Sequence, residues 1–173
     1  MRVELKLTGL DGVLKALEAL PAEVVSKNGG VARRALRKGA VLILKQAQAN
    51  LRVSTSNATE DGKRYSTGLL LKNLVVTRGK APSSGKGERQ LVRVRRVAYD
   101  GSKLGKKDRA GKRVTTLQTA NLLEYGSSKQ QAEPWLRPAF EAKATDAIAV
   151  VERELIREVE LAVRKLSRSK GLR

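Results

Sequence analysis

Residues 124–141 read EYGSSKQQAEPWLRPAFE. They hold Tyr125, Trp135 and Phe140, three of the five aromatic residues in the chain, together with Pro134 and Pro138, two of its four prolines. Local chemistry accounts for part of this concentration. Gly126 suits a turn that needs positive φ. Pro134 holds Glu133 in an extended conformation. Pro138 fits the first turn of a helix, where its missing N–H is not needed. Trp135, just ahead of that helix, is placed to staple back onto Phe140 or the following turn. The stretch therefore reads as an element end, a turn, a rigid extended arm and a helix start.

On the C-terminal side, Phe140, Ala144, Ala147, Ile148, Val151, Leu155, Val159, Ala162 and Leu166 form one apolar stripe. The spacing predicts a helix over 138–167, about 45 Å long at the usual rise per residue. The basic tail at 168–173 is expected to fray. On the N-terminal side, LQTANLLEYG fits strand alternation and helical spacing about equally, so 117–125 is left as either.

Farther upstream, residues 78–113 hold 13 Lys or Arg, three acids and six Gly in 36 residues. Within them Leu91, Arg93, Arg95 and Val97 alternate with Val92, Val94, Arg96 and Ala98, which predicts a strand over 91–99 with one basic face. Basic loops at 79–90 and 100–113 flank it and are expected to be mobile. Thr67 is placed to cap a short helical turn, and Leu74–Thr77 reads as a strand through its β-branched run. Residues 52–66 are polar and loop-like. Residues 22–51 read as mostly helical, with Val25, Ala32, Leu36, Gly39, Ile43 and Ala47 on one face and a break at Gly29–Gly30. LDGVLKALEAL reads as a short helix that Asp11 caps and Pro21 ends. In the opening MRVELKLTG, Val3, Leu5 and Leu7 face away from Arg2, Glu4 and Lys6, a half-buried strand.

The expected fold class is α+β: a small, mostly antiparallel sheet packed against two long helices, with long basic loops, in one domain over 1–173. With no Cys and no His, disulfides, thiol chemistry, Cys/His zinc sites and His-based triads are excluded. The residues indicate no cofactor and no metal site. No run approaches the length of a membrane span, and the N-terminus lacks an apolar signal core. The net charge of +19 favours a polyanionic partner, without choosing among nucleic acid, anionic lipid and acidic protein.

Leu122, Leu123, Glu124, Tyr125, Gly126 and Ser127, then a polar spacer, then Pro134, Trp135, Leu136, Arg137, Pro138 and Ala139, resemble the signature of a tailed-bacteriophage morphogenesis family. Its members are tail-completion or head–tail joining proteins of the neck, comparable in role to the lambdoid minor tail protein Z. The N-terminal strand, the small residues at Gly39–Ala40 and the Thr67–Gly68–Leu69 opening resemble the family's layout too. Trp135 stands where Phe is commoner, and the basic insertion at 100–113 is longer than the family pattern.

The resemblance implies a virion protein of the head–tail junction, made in the host cytoplasm and arranged as a ring, a hexamer. It would touch tail-terminator or tail-tube proteins and head-completion or connector proteins, with genomic DNA in the channel as a further partner. It implies no catalysis and no membrane. Interface candidates are Glu124, Tyr125, Gly126, Pro134, Trp135, Arg137 and Pro138. Trp135 has two readings, an anchor docked onto a neighbouring subunit or a core residue of its own domain. Glu124 and Arg137 have two readings, a bidentate pair that closes the loop or side chains that are each solvated or paired elsewhere. Arg93, Arg95, Arg96, Lys106, Lys107 and Arg109 are candidates to meet DNA phosphates or an acidic protein face, against a plain solvated charge run. The competing function is a stand-alone basic nucleic-acid-binding protein, although no helix-turn-helix, zinc-finger or RNP-like pattern is present. An enzyme ranks third, with no nucleophile motif or phosphate loop.

Overall fold

The computed structural model describes residues 30–56, 68–80, 88–99 and 113–170. The predicted strand at 1–9, the helix at 10–21 with its Asp11 cap, residues 22–29, Thr67, and most of the loops at 79–90 and 100–113 lie outside them. In chain order the elements are α1 (Gly30–Ser56), α2 (Leu69–Lys72), β1 (Leu74–Arg78), β2 (Gln90–Val94), α3 (Thr116–Tyr125) and α4 (Leu136–Lys170). The strands form one antiparallel pair beside long helices, as the fold class expected. Among the described residues no helix is long and apolar enough to cross a membrane.

The described residues gather into two compact units, one holding residues 43–56, 68–76, 92–99 and 113–143, the other residues 30–42, 77–80, 88–91 and 144–170. Both long helices and both strands contribute residues to each.

In α1 the buried positions are Val31, Ala35, Gly39, Ile43, Ala47 and Leu51, a strict four-residue repeat. Ala32 and Leu36, expected on this face, are only partly buried. A four-residue row is one of the two natural ridges of a helix surface. The helix also runs on through 52–56, which the polar composition had suggested was loop. Leu51 is buried in the last turns and residues 52–56 contain no Gly or Pro, so nothing stops the helix there.

The first unit's core packs Ala47 and Leu51 of α1 against Leu70 of α2, Leu74 of β1, Ala120 of α3, and Trp135, Leu136 and Ala139 around the start of α4. Val92 and Val94 of β2 pack on the same cluster, while Arg93 between them is exposed. This is the in–out alternation of a strand with one face covered.

Strand β2 stops at Val94 and does not continue to residue 99. Its partner has run out: Arg95 N–H donates to Asn73 O, 2.9 Å, and Asn73 is already the C-cap of α2. A second, shorter pairing takes over, with Tyr99 N–H on Val114 O and Thr116 N–H on Val97 O.

Segment 117–125 is helical. Thr115 and Gln118 form a capping box, each side chain meeting the other's backbone N–H.

In the second unit, Val31 and Ala35 pack against Val151 and Leu155. A Cβ at Gly39 would lie 2.6 Å from Val151 Cγ2 and 2.9 Å from Ala147 O. The close approach needs a glycine, although glycine costs about 1 kcal/mol relative to alanine inside a helix. Gly39→Ala is therefore expected to destabilise by about 1–2 kcal/mol net, overpacking outweighing the propensity gain. Adding Val151→Ala relieves only the side-chain half of the clash and should recover part of the loss, so a double-mutant cycle in urea checks the assignment.

Two ion pairs link the same helices, Arg34 with Glu158 and Lys38 with Glu154. The Arg34 hydrogen bond holds the Glu158 carboxyl below the usual carboxylate range, against an opposing effect of burial. A depressed carboxylate pKa gives stability that is present above the unfolded value, about 4.3, and lost as pH falls through the folded one. Because Arg34 is largely exposed, the pair is worth only about 0.5 kcal/mol. Glu158→Gln should show that small deficit at neutral pH and low salt, and none in acid melts.

Glu88 ties down the ends of the 79–90 segment. It accepts from Arg78 Nε at 3.1 Å and Nη2 at 2.6 Å, while Gly79 N–H donates to Arg89 O. Residues 81–87 lie outside the described set.

Helix α4 starts at Leu136, two residues earlier than the stripe suggested, and runs through 168–170, where fraying was expected. Ala147, Val151 and Leu155 of the stripe are buried, with Phe140, Ala144, Ile148 and Val159 partly so. The side chains of Ala162 and Leu166 are outside the described set.

Candidate functional site

The signature residues meet at the start of α4. A helix begins with four backbone N–H groups that have no partner inside it. Here they belong to Trp135, Leu136, Arg137 and the residue after them. Trp135 and Leu136 both donate to Glu124 Oε2 at 2.9 Å, and Arg137 donates to Oε1 at 3.1 Å. The fourth residue is Pro138, which has no N–H to satisfy. One carboxylate and one proline thus complete the helix start. The negative charge also sits at the positive end of the helix dipole.

Glu124 is 4% exposed and stands on the last turn of α3. Of the two readings open for Glu124 and Arg137, the structure shows the one without a side-chain pair: Glu124 engages the Arg137 backbone, and the Arg137 side chain is exposed. The physical reason is demand. A guanidinium at the surface is satisfied by water, whereas buried N–H groups at a helix start are not.

The turn between α3 and α4 brings the carboxylate into range. Gly126 closes α3 with φ 71°, donating to Leu122 O. A Cβ there would lie 2.7 Å from Ala132 N and 2.8 Å from Gln130 O, so both backbone angle and space demand glycine. Ser127 and Gln130 exchange two backbone hydrogen bonds across a tight turn. Glu133 N–H then donates to Leu123 O at 2.8 Å, returning the chain alongside α3.

Trp135 is 2% exposed and belongs to the core of its own unit. Of its two readings, the structure places the indole inside the chain. Its Nε1–H points to Ala120 O at 3.4 Å, and its carbonyl accepts from Asn50 Nδ2 at 3.1 Å. Asn50 is in turn oriented by Gln46. Pro134, Pro138 and Tyr125 lie at the surface. With Leu122 41% and Tyr125 55% exposed, α3 shows an apolar strip beside the joint.

Of the basic candidates, Arg93, Arg95 and Arg96 are all exposed. Lys106, Lys107 and Arg109 lie outside the described residues. Sequence reasoning missed Thr116, which is fully buried. Its hydroxyl donates to Arg95 O and accepts from Val97 N–H at 3.0 Å, fixing the backbone on either side of Arg96. Asn50 was missed as well, since nothing local marks a helix-surface amide as the partner of a carbonyl 85 residues away. Among the described residues no group of three or more His, Cys, Asp or Glu gathers as metal ligands would.

No protein-family model, curated protein or solved structure matches this chain.

Proposed function

We propose that this chain is a structural virion protein of a tailed bacteriophage, a tail-completion or head–tail connector subunit that works without catalysis in a ring at the neck. The observation that carries the reading is the joint itself. Glu124, Gly126, Trp135, Arg137 and Pro138, the residues on which the resemblance rests, serve one helix start through Glu124's three backbone bonds, the Gly126 turn and the missing Pro138 N–H. A signature that encodes a fold joint is the kind of pattern a structural family keeps together. The exposed Leu122 and Tyr125 support assembly, because apolar strips on so highly charged a surface suit contact with another subunit. In this reading the subunit's partners are copies of itself, tail-terminator or tail-tube proteins, and head-completion proteins.

The test is deletion of the gene in the phage that carries it, with virions imaged by electron microscopy. Filled heads and separate tails that fail to join are the expected result, with the wild-type protein found at the neck of intact particles. Normal particles without the protein, or its localisation on host DNA in the absence of infection, would favour the stand-alone nucleic-acid-binding reading.

A further inference from the structure

We infer that Lys72, Arg93, Arg95 and Arg96 form a preorganised contact for the phosphate backbone of duplex nucleic acid. The inference stands on the geometry of this edge and does not rest on the assembly reading.

All four side chains are exposed. Elsewhere the basic residues are often neutralised: Arg34, Lys38 and Arg78 pair with Glu158, Glu154 and Glu88. Among the described residues no carboxylate pairs with these four. They are neighbours through the backbone, because Arg95 N–H donates to Asn73 O, next to Lys72.

The segment is held. Arg95 is bonded at its N–H by Asn73 and at its carbonyl by the buried Thr116 hydroxyl, which also takes the Val97 N–H. Exposed strand edges often carry charge to prevent unwanted pairing. That explanation fails for Arg95 and Arg96, which lie past the end of β2. A buried hydroxyl that fixes the chain around exposed arginines is instead what a binding edge needs, since less freedom is lost on contact.

The chemistry favours phosphate over an acidic protein face. Protein interfaces deplete charge at their centre and bury apolar side chains there. Here four exposed cations lie on neighbouring stretches of backbone, and the exposed apolar residues beside them are only Val97 and the small Ala98. Nucleic-acid interfaces are much more positive, and most of their hydrogen bonds go to phosphate and sugar. Tyr99, the aromatic residue of this segment, is only partly exposed. Base stacking is thereby disfavoured, and with it single strands.

The test compares variants of the full chain on a mixed-sequence DNA duplex across a salt series. Arg93→Gln/Arg95→Gln/Arg96→Gln should flatten the slope of log K against log salt by about 2.7 units. Arg37→Gln/Lys45→Gln/Arg153→Gln removes as many exposed charges elsewhere and should leave the slope nearly unchanged. Equal flattening by both triples would overturn the proposal, because the binding would then follow net charge alone. Thr116→Val leaves the charge untouched and should weaken binding about threefold to tenfold by freeing the arginines. Unchanged affinity in a folded Thr116→Val protein would overturn the preorganised contact, and if this variant fails to fold the two triples alone decide. Polyglutamate at matched charge should compete poorly; competition equal to that of duplex would assign the edge to an acidic protein.

Discussion

Glu124→Ala is expected to cost about 4 kcal/mol or more of folding stability. Two buried N–H groups and one part-buried one lose their acceptor together, and each unsatisfied buried donor costs about 1–3 kcal/mol. The cavity left by the carboxylate arm adds to this. Against a total stability of about 5–15 kcal/mol, the variant should be largely unfolded or melt far below the parent. Glu124→Gln is the informative partner. It keeps one carbonyl oxygen, but its NH2 group faces a donor, and the charge that strengthens these bonds is gone. Its loss should be intermediate, about 2–3 kcal/mol, most of it from one orphaned N–H and the weakened bonds. Chemical unfolding followed by circular dichroism measures all three proteins. If Glu124→Ala stays within about 1 kcal/mol of the parent, the carboxylate is not what completes the helix start.

The same residue shows where sequence reading stops. Gly126, Pro134 and Pro138 were legible because each acts on its own backbone, through φ or a missing N–H. The role of Glu124 was not, because a charge in a sequence does not say which donors will lack water. Capping rules look for an acceptor within the first residues of a helix. This acceptor stands 11 residues before Trp135, on a different helix. Only the turn at Gly126 brings it back. The outcome for 117–125 was closer to hand. Thr115 and Gln118 are spaced as a capping box, and that pattern breaks the tie between strand and helix in favour of helix.

At β2 the alternation was right and the length was wrong. Residues 91–94 alternate as a strand with one covered face does, but a strand persists only while a partner persists. The partner ends where Asn73 caps α2, a fact of tertiary placement. The four-residue stripe of α1 was partly visible in Gly39, Ile43 and Ala47. The choice between Ala32/Leu36 and Val31/Ala35 depended on which side α4 occupies, and Val151 and Leu155 of α4 meet the second pair. Small residues mark a close crossing, yet they do not say which of two adjacent rows faces it.

Trp135→Ala is expected to cost about 3–5 kcal/mol, the usual range for truncating a buried aromatic. The indole is among the largest fully enclosed side chains, packed with Leu51, Leu70, Leu74 and Ala120. These come from four separate elements, so no single local shift can refill the space. Trp135→Phe keeps most of the apolar volume and gives up only the long Nε1 contact to Ala120 O, and should cost about 1–2 kcal/mol. This burial changes what an assembly defect would mean. An indole docked on a neighbour would leave the isolated monomer melting normally while rings failed to form. With the indole inside its own unit, Trp135→Ala should lower the melting temperature of the monomer first, and any assembly failure should follow from unfolding. Exposed Leu122 and Tyr125 provide the contrast. Leu122→Ser and Tyr125→Ser should leave the melt within about 0.5 kcal/mol, as surface substitutions do. If the strip is an assembly contact, joining of heads to tails should fail in these variants even though the protein remains folded. A normal monomer melt for Trp135→Ala would return the tryptophan to the interface and contradict the packing seen here.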